Sequence, residues 1–286
     1  MSKQENKSTK KILENPVVSS LVVPIAIVLV GALIIFGVTR MLSTEQSYKD
    51  LVRELHSKTF GNRWVAAYEL SKVISSSKVA DEDKPWLVEN LGEIYKDSKD
   101  PRSRNFIITA LSALKSSQGI PVLNSALIDN DANVKYSAVA AIGNLEESVG
   151  VDFEALRKLL EQNEDLPLKQ ASALALATHG DIKSEKLIED LITHESRNLR
   201  YTAALCLINF KNDKALPILD EISKLSSLEK SKNLMPGQIV GMKMNLLVAA
   251  KKNNWNVEKF SSQIVKNEEN NAVLSKAREL LNQLKN

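Results

Sequence analysis

The stretch Asp131-Ala-Asn-Val-Lys135-Tyr-Ser-Ala138-Val-Ala-Ala141-Ile142-Gly-Asn-Leu145 sets the reading of the whole chain. An aspartate opens it, a basic residue follows one turn later, and small or apolar residues stand three, six and seven places beyond the base. At about 100° per residue those three positions share one side of an α-helix. Their small size lets a second helix approach closely. Asp131 is placed to cap the free N–H groups of the first turn, where the helix dipole also favours negative charge.

With the base as position zero, equivalent bases fall at Arg63, Arg104, Lys135, Lys169, Arg200 and Lys243, separated by 41, 31, 34, 31 and 43 residues. The small or apolar triplet recurs as Ile107, Ala110, Leu111; Ala138, Ala141, Ile142; Ser172, Ala175, Leu176; and Ala203, Cys206, Leu207. The acid four residues earlier recurs as Asp100 before Arg104, Asp131 before Lys135 and Asp165 before Lys169. Ser196, another capping residue, precedes Arg200, and Lys243 lacks the acid. Each base is expected to pair with the capping aspartate of its own or the neighbouring repeat. A period of about 20–50 residues is the mark of stacked repeat architectures.

This pattern resembles HEAT repeats, and the spacing of 31–34 is similar to the short HEAT-like subset named after phycobilisome lyases. The resemblance covers Arg63 to Phe210 well and is weaker in the first pair and the last 60 residues, which read as diverged or capping repeats. It implies an all-α, armadillo-like α-solenoid of antiparallel helix pairs whose second helices line a concave surface, the usual seat of a partner. The scaffold serves many functions, so the resemblance fixes no partner.

Periodicity agrees. Apolar residues recur at three- and four-residue spacing from Leu51 to Leu284, giving about fourteen helices of 10–17 residues, or some seven pairs, with no strand-like alternation. Hydrophobic residues make up 43% of the 286 and aromatics only 5%, with 10 glycines, a helix-rich composition.

Ahead of the repeats, Val17 to Thr39 carries no charge. At 1.5 Å per residue it spans about 34 Å, enough for a hydrocarbon core of about 30 Å, and Pro24 is tolerated in such a helix. The run is longer than a signal peptide's apolar segment and no small-x-small site follows it, so an uncleaved anchor is expected. The chain therefore divides into a tail (1–16), a transmembrane helix (17–39), a linker (40–46) and the solenoid (47–286). Four lysines before the span, against Arg40, Lys49 and Arg53 just after it, put the N-terminus in the cytoplasm and the domain outside.

The net charge of +3 resides entirely in residues 1–43, so the remainder is neutral. That argues against nucleic acid, which needs a clustered positive field. It also sets aside the resemblance to alkylpurine glycosylases of this architecture, whose concave face is basic. Within the neutral part, residues 230–286 hold ten bases and four acids, so the array is polarised toward a basic far end.

Enzyme signals are sparse. His56, His179 and His194 lie far apart in the repeat register, no paired Cys/His spacing exists, and no glycine-rich phosphate loop appears. His179 precedes Gly180 and reads as a helix end. Cys206 reads as a packed small hydrophobe. No cofactor is expected, and the functional expectation is a non-enzymatic adaptor for a protein partner. The alternative, from the lyase resemblance, is a chaperone for cofactor attachment or assembly of a membrane complex. The binding surface is expected at position +1, opposite the small-residue side, which holds Trp64, Asn105, Tyr136, Gln170 and Tyr201, with Tyr68 one turn beyond Trp64. Exposed Trp and Tyr are what interface hot spots are rich in.

Overall fold

A computed structural model describes residues 47–57, 59–76, 79–226 and 234–285, and the side chains of Phe60 and Trp64 lie outside that description. The apolar segment 17–39 lies outside it too. Among the described residues no helix is long and apolar enough to cross a membrane. A compact unit runs from Leu51 to Asn286.

Fourteen α-helices are described, in seven consecutive pairs. They are α1 (Tyr48–Leu55) with α2 (Phe60–Ser75), α3 (Lys84–Asp97) with α4 (Pro101–Leu114), and α5 (Ile120–Leu127) with α6 (Ala132–Gly143). Then come α7 (Phe153–Gln162) with α8 (Leu166–Thr178), α9 (Glu185–Asp190) with α10 (Arg197–Leu207), α11 (Leu216–Lys224) with α12 (Pro236–Lys252), and α13 (Val257–Asn267) with α14 (Asn271–Gln283). Second helices pack in series, α2 on α4, α4 on α6, α6 on α8, α8 on α10, α10 on α12 and α12 on α14. Several first helices fall short of the expected 10–17 residues. At α5, α9 and α11 the reason is local: a 3-10 turn takes up the residues just ahead of the helix, tightening the entry at the cost of α-helical length.

Helix starts are written by two residue types. Proline occupies the first turn of α3, α4, α5, α8, α11 and α12, where its missing N–H costs nothing. Side-chain caps supply the other signal. Asp100 accepts from the Arg102 N–H, Asp131 from Asn133 and Val134, and Asp165 from Leu168. Ser196 stands at the N-cap position of α10 but its side chain makes no capping bond.

The small-residue side of the second helices is the core. All twelve residues of the four triplets are buried. Position +4 is buried as well, in Ala67, Ile108, Val139, Ala173, Ala204 and Leu247. Each second helix from α4 on is therefore covered over a wider arc than the triplets alone indicate, because it touches both its own first helix and its neighbours in the series. The closeness is measurable at Gly143, where an added Cβ would stand 3.4 Å from the Ala175 Cβ. Leucines and isoleucines in this seam contribute roughly 1.5–3 kcal/mol each by burial; the alanines contribute mainly by permitting the approach.

Candidate partner-binding face

The junction between successive second helices is the recurring local device. At the α4–α6 junction, Arg104 pairs in a fork with Asp129, Nε to Oδ2 at 2.7 Å and Nη2 to Oδ1 at 2.9 Å. Its Nη1 also donates to the carbonyls of Ser98 and Lys99 in the loop before its own helix. Asp129 accepts in addition from the Tyr95 hydroxyl at 2.9 Å and the Asp131 N–H at 2.9 Å. Burial by itself would raise the Asp129 carboxyl, but the bonds from Arg104, Asp131 and Tyr95 win and hold it down at about 2. Burial, with Asp129 beside it, pushes the Tyr95 hydroxyl well above its usual value.

This overturns the expected pairing of base with capping aspartate. Asp100 is held by Arg102, not Arg104, and Asp131 and Asp165 spend their bonds on backbone N–H groups. The base reaches instead to the residue two places before the next cap. That position has a shared role, since Asp129, Asn163 and His194 each accept from the N–H of the following cap residue, Asp131, Asp165 and Ser196. Among the described residues neither Lys135 nor Lys169 forms an ion pair. Arg200 donates to the His194 and Glu195 carbonyls, repeating the loop contact of Arg104. Lys243 follows the full rule at the far end: its Nζ bonds Glu268 Oε2 at 2.7 Å and the Leu225 carbonyl, with both side chains of the ion pair fully buried. Glu268 also accepts from the N–H groups of Glu269 and Asn270.

The +1 residues are only partly brought together. Asn105 accepts from the Ser137 hydroxyl at 2.6 Å, and Gln170 reaches Thr202 at 3.4 Å. Position +1 of one second helix thus meets position +2 of the next, which keeps the helices in register. Tyr136 is exposed beside a cavity of about 220 Å³ lined by Asn105, Asp131 and Ser137. Tyr68 is exposed with the Lys72 ammonium 4.2 Å from its ring centroid. The side chain of Trp64 lies outside the described residues.

Tyr201 leaves the surface set. It is 1% exposed and its hydroxyl donates to Glu221 on α11. With position +4 buried, the covered arc reaches round toward +1, and at α10 the long tyrosine ring folds over that edge onto α11. Burial first, and Glu221 second, push its hydroxyl well above the usual value.

Position +5 faces away from the widened arc, and the repeat reading missed it. It carries Tyr68, Leu174 and Val248, exposed at 55%, 49% and 51%, with Tyr136 at 47% on the same outward side. Counting five places from Arg63, Lys169 and Lys243 finds these three, whereas the same count from Arg104, Lys135 and Arg200 gives Thr109, Ala140 and Leu205.

Reactive groups are absorbed by packing. The His179 ring is 2.8 Å from the Ile142 carbonyl and lies edge-on to Phe153 at the end of α8. Cys206 is buried, and burial pushes its thiol up to about 12, which leaves little thiolate at neutral pH. Among the described residues no three His, Cys, Asp or Glu side chains cluster as a metal site.

The HEAT-repeat family model matches residues 88–177 and 153–228. Over residues 88–228 this chain is HEAT-like. Its fold is similar to that of a chain in the complex of CpcE and CpcF of phycocyanin lyase from Nostoc sp. PCC7120, at 17% identity and a TM-score of 0.56, over 82% of this chain and 94% of that one. It is also similar to the Escherichia coli protein YibA, at 15% identity and a TM-score of 0.50, over 85% of each chain. Identities this low carry the fold alone. No curated protein matches by sequence. HEAT repeats as a class mediate protein binding, stacking short helical units into extended surfaces.

Proposed function

We propose that this chain is a membrane-anchored, non-enzymatic scaffold that grips a protein partner along the outward face of its second helices. The supporting observation is the row of exposed apolar side chains Tyr68, Tyr136, Leu174 and Val248 on helices packed in series. Large apolar groups rimmed by polar ones mark interaction surfaces, and tyrosine buries wide area at low entropic cost. In the solenoids that the repeats resemble, second helices line the concave side, which suits an elongated segment of a partner. The anchor is the uncharged stretch 17–39, with the N-terminus in the cytoplasm and the repeat domain outside.

The test is a triple substitution of Tyr68, Tyr136 and Leu174 by Ser in the full chain, followed by thermal melting and co-purification from membranes. A partner retained by the native chain and lost by the variant, with nearly unchanged melting, supports the reading. A retained partner refutes it. A chromophore or other cofactor travelling with the partner would instead favour the assembly-chaperone alternative. A reporter active only outside the cytoplasm, fused after Asn286, is expected to be active, and a silent one overturns the orientation.

A further inference from the structure

The first described junction lacks the acid that closes the α4–α6 and α12–α14 junctions. At Arg104 and Lys243 the acid lies 25 residues on, two places before the next cap. Counting back two from the cap Asp100 gives Ser98, so at Arg63 a serine stands where Asp129 and Glu268 stand elsewhere. Ser98 turns its hydroxyl onto the Asp100 carbonyl at 3.3 Å. The Nε of Arg63 is buried and has no hydrogen-bond partner among the described residues. An unpaired buried donor on a cation is costly and asks for an anion. Asp100 feels the Arg63 charge, but its two oxygens bond Arg102, at 3.1 and 2.9 Å, and Asp97, in the cavity lining, is exposed.

Beside Arg63 lies a cavity of about 280 Å³. Its apolar wall is made by Leu55, Ala67, Ile94, Phe106 and Ile107; Ser57, Ser98 and Ser103 offer hydroxyls around Arg63 and Arg102, and His56 and Asp97 also line it. With Arg102 taken up by Asp100, the Arg63 edge, several hydroxyls and a mostly aliphatic wall match a single anionic head on a short apolar body. At about 30 Å³ per water-sized group the space holds roughly nine heavy atoms.

We propose that this cavity binds a carboxylate carrying a branched aliphatic group. The carboxylate takes, against Arg63, the place that Asp129 takes against Arg104. The same chemistry is presented by the C-terminal leucine of a peptide and by a free six-carbon acid. The site is separate from the outward face and does not depend on it.

The experiment titrates the full chain in detergent micelles with 4-methylpentanoate, with 4-methylpentanamide, and with a short peptide ending in leucine, free or amidated, read by calorimetry. The acid and the free peptide are expected to bind, and both amides at least about 10-fold more weakly. Peptide tighter than acid assigns the site to a partner's C-terminus; equal affinity assigns it to the small acid. Ser98→Asp sets here the acid that the α4–α6 and α12–α14 junctions carry, so it should weaken binding at least about 10-fold without lowering the melting temperature. Arg63→Gln should give the same loss, and Ser98→Asp keeps the test alive if that variant fails to fold. Equal binding of acid and amide, unchanged affinity in a folded Ser98→Asp chain, or no saturation by acid or peptide at about 10 mM overturns the proposal.

Discussion

The α4–α6 and α12–α14 junctions are closed by an ion pair, whereas the α6–α8 and α8–α10 junctions place Asn163 or His194, not an acid, at the matching position. The backbone device is the same in all four, because each of these side chains accepts from the N–H of the following cap. Charge is therefore an addition to the repeat and not a requirement of it. The two charged junctions also differ from each other. Arg104 and Asp129 remain 17% and 6% exposed, whereas Lys243 and Glu268 are both at 0%. A pair fully out of water gains little over apolar groups, yet leaves a heavy penalty if only one member is removed.

That contrast yields the largest expected effect. Glu268→Gln keeps an acceptor for the Glu269 and Asn270 N–H groups but leaves the Lys243 ammonium buried opposite a neutral amide. The loss should be about 3–5 kcal/mol in denaturant melts followed by circular dichroism. Adding Lys243→Met should recover most of it, since no charge is then left buried. A single-variant loss below about 1 kcal/mol would mean that water reaches this pair, and the distinction between the two charged junctions would fail.

The α4–α6 junction should respond less, and through pH. Asp129 is held at about 2 against an ordinary value of 3.8. A depressed carboxyl contributes stability that is present above the unfolded value and lost as pH falls through the folded one, so the window runs from about pH 4 down to about pH 2. Arg104 keeps its charge throughout, and the Tyr95 hydroxyl stays protonated. Allowing for the partial exposure of Arg104, Asp129→Asn should cost about 1–2 kcal/mol at about pH 6. The gap between native and variant melts should close near about pH 2. A gap that persists there would assign the loss to packing and not to the ion pair.

The difference between junctions also explains what the sequence could and could not reveal. Spacing within one helix was sufficient for the twelve buried triplet residues and for the aspartate caps, because both depend on neighbours one or two turns away. Arg104 meeting Asp129 depends on which loop crosses which helix, and helical periodicity carries no such information. Aligning the repeats on their caps, not on their bases, exposes Asp129, Asn163, His194 and Glu268 as one column. Tyr201 failed as a surface residue for a related reason. An angle on a helical wheel marks a direction, whereas burial also depends on what neighbouring helix lies there, and α11 lies within reach of that ring.

The smallest expected effect tests whether the junctions without an acid are open to the same device. Asn163→Asp sets an acid in the column that Asp129 and Glu268 occupy, one junction on from the Arg104 pair. It retains an oxygen for the Asp165 N–H, now bonded at 2.8 Å, so the cap approach should survive. Lys135 is the base of that junction and forms no ion pair among the described residues. Because lysine presents a point charge and not a fork, and the site is part-exposed, the gain should be only about 0.3–1 kcal/mol. It should vanish in Lys135→Met and fade at about 1 M salt, where screening shortens to about 3 Å. A gain that survives both changes would come from the cap alone. No gain at all would show that the base at position zero needs the guanidinium's reach, or full burial, before an acid in this column stabilises the stack.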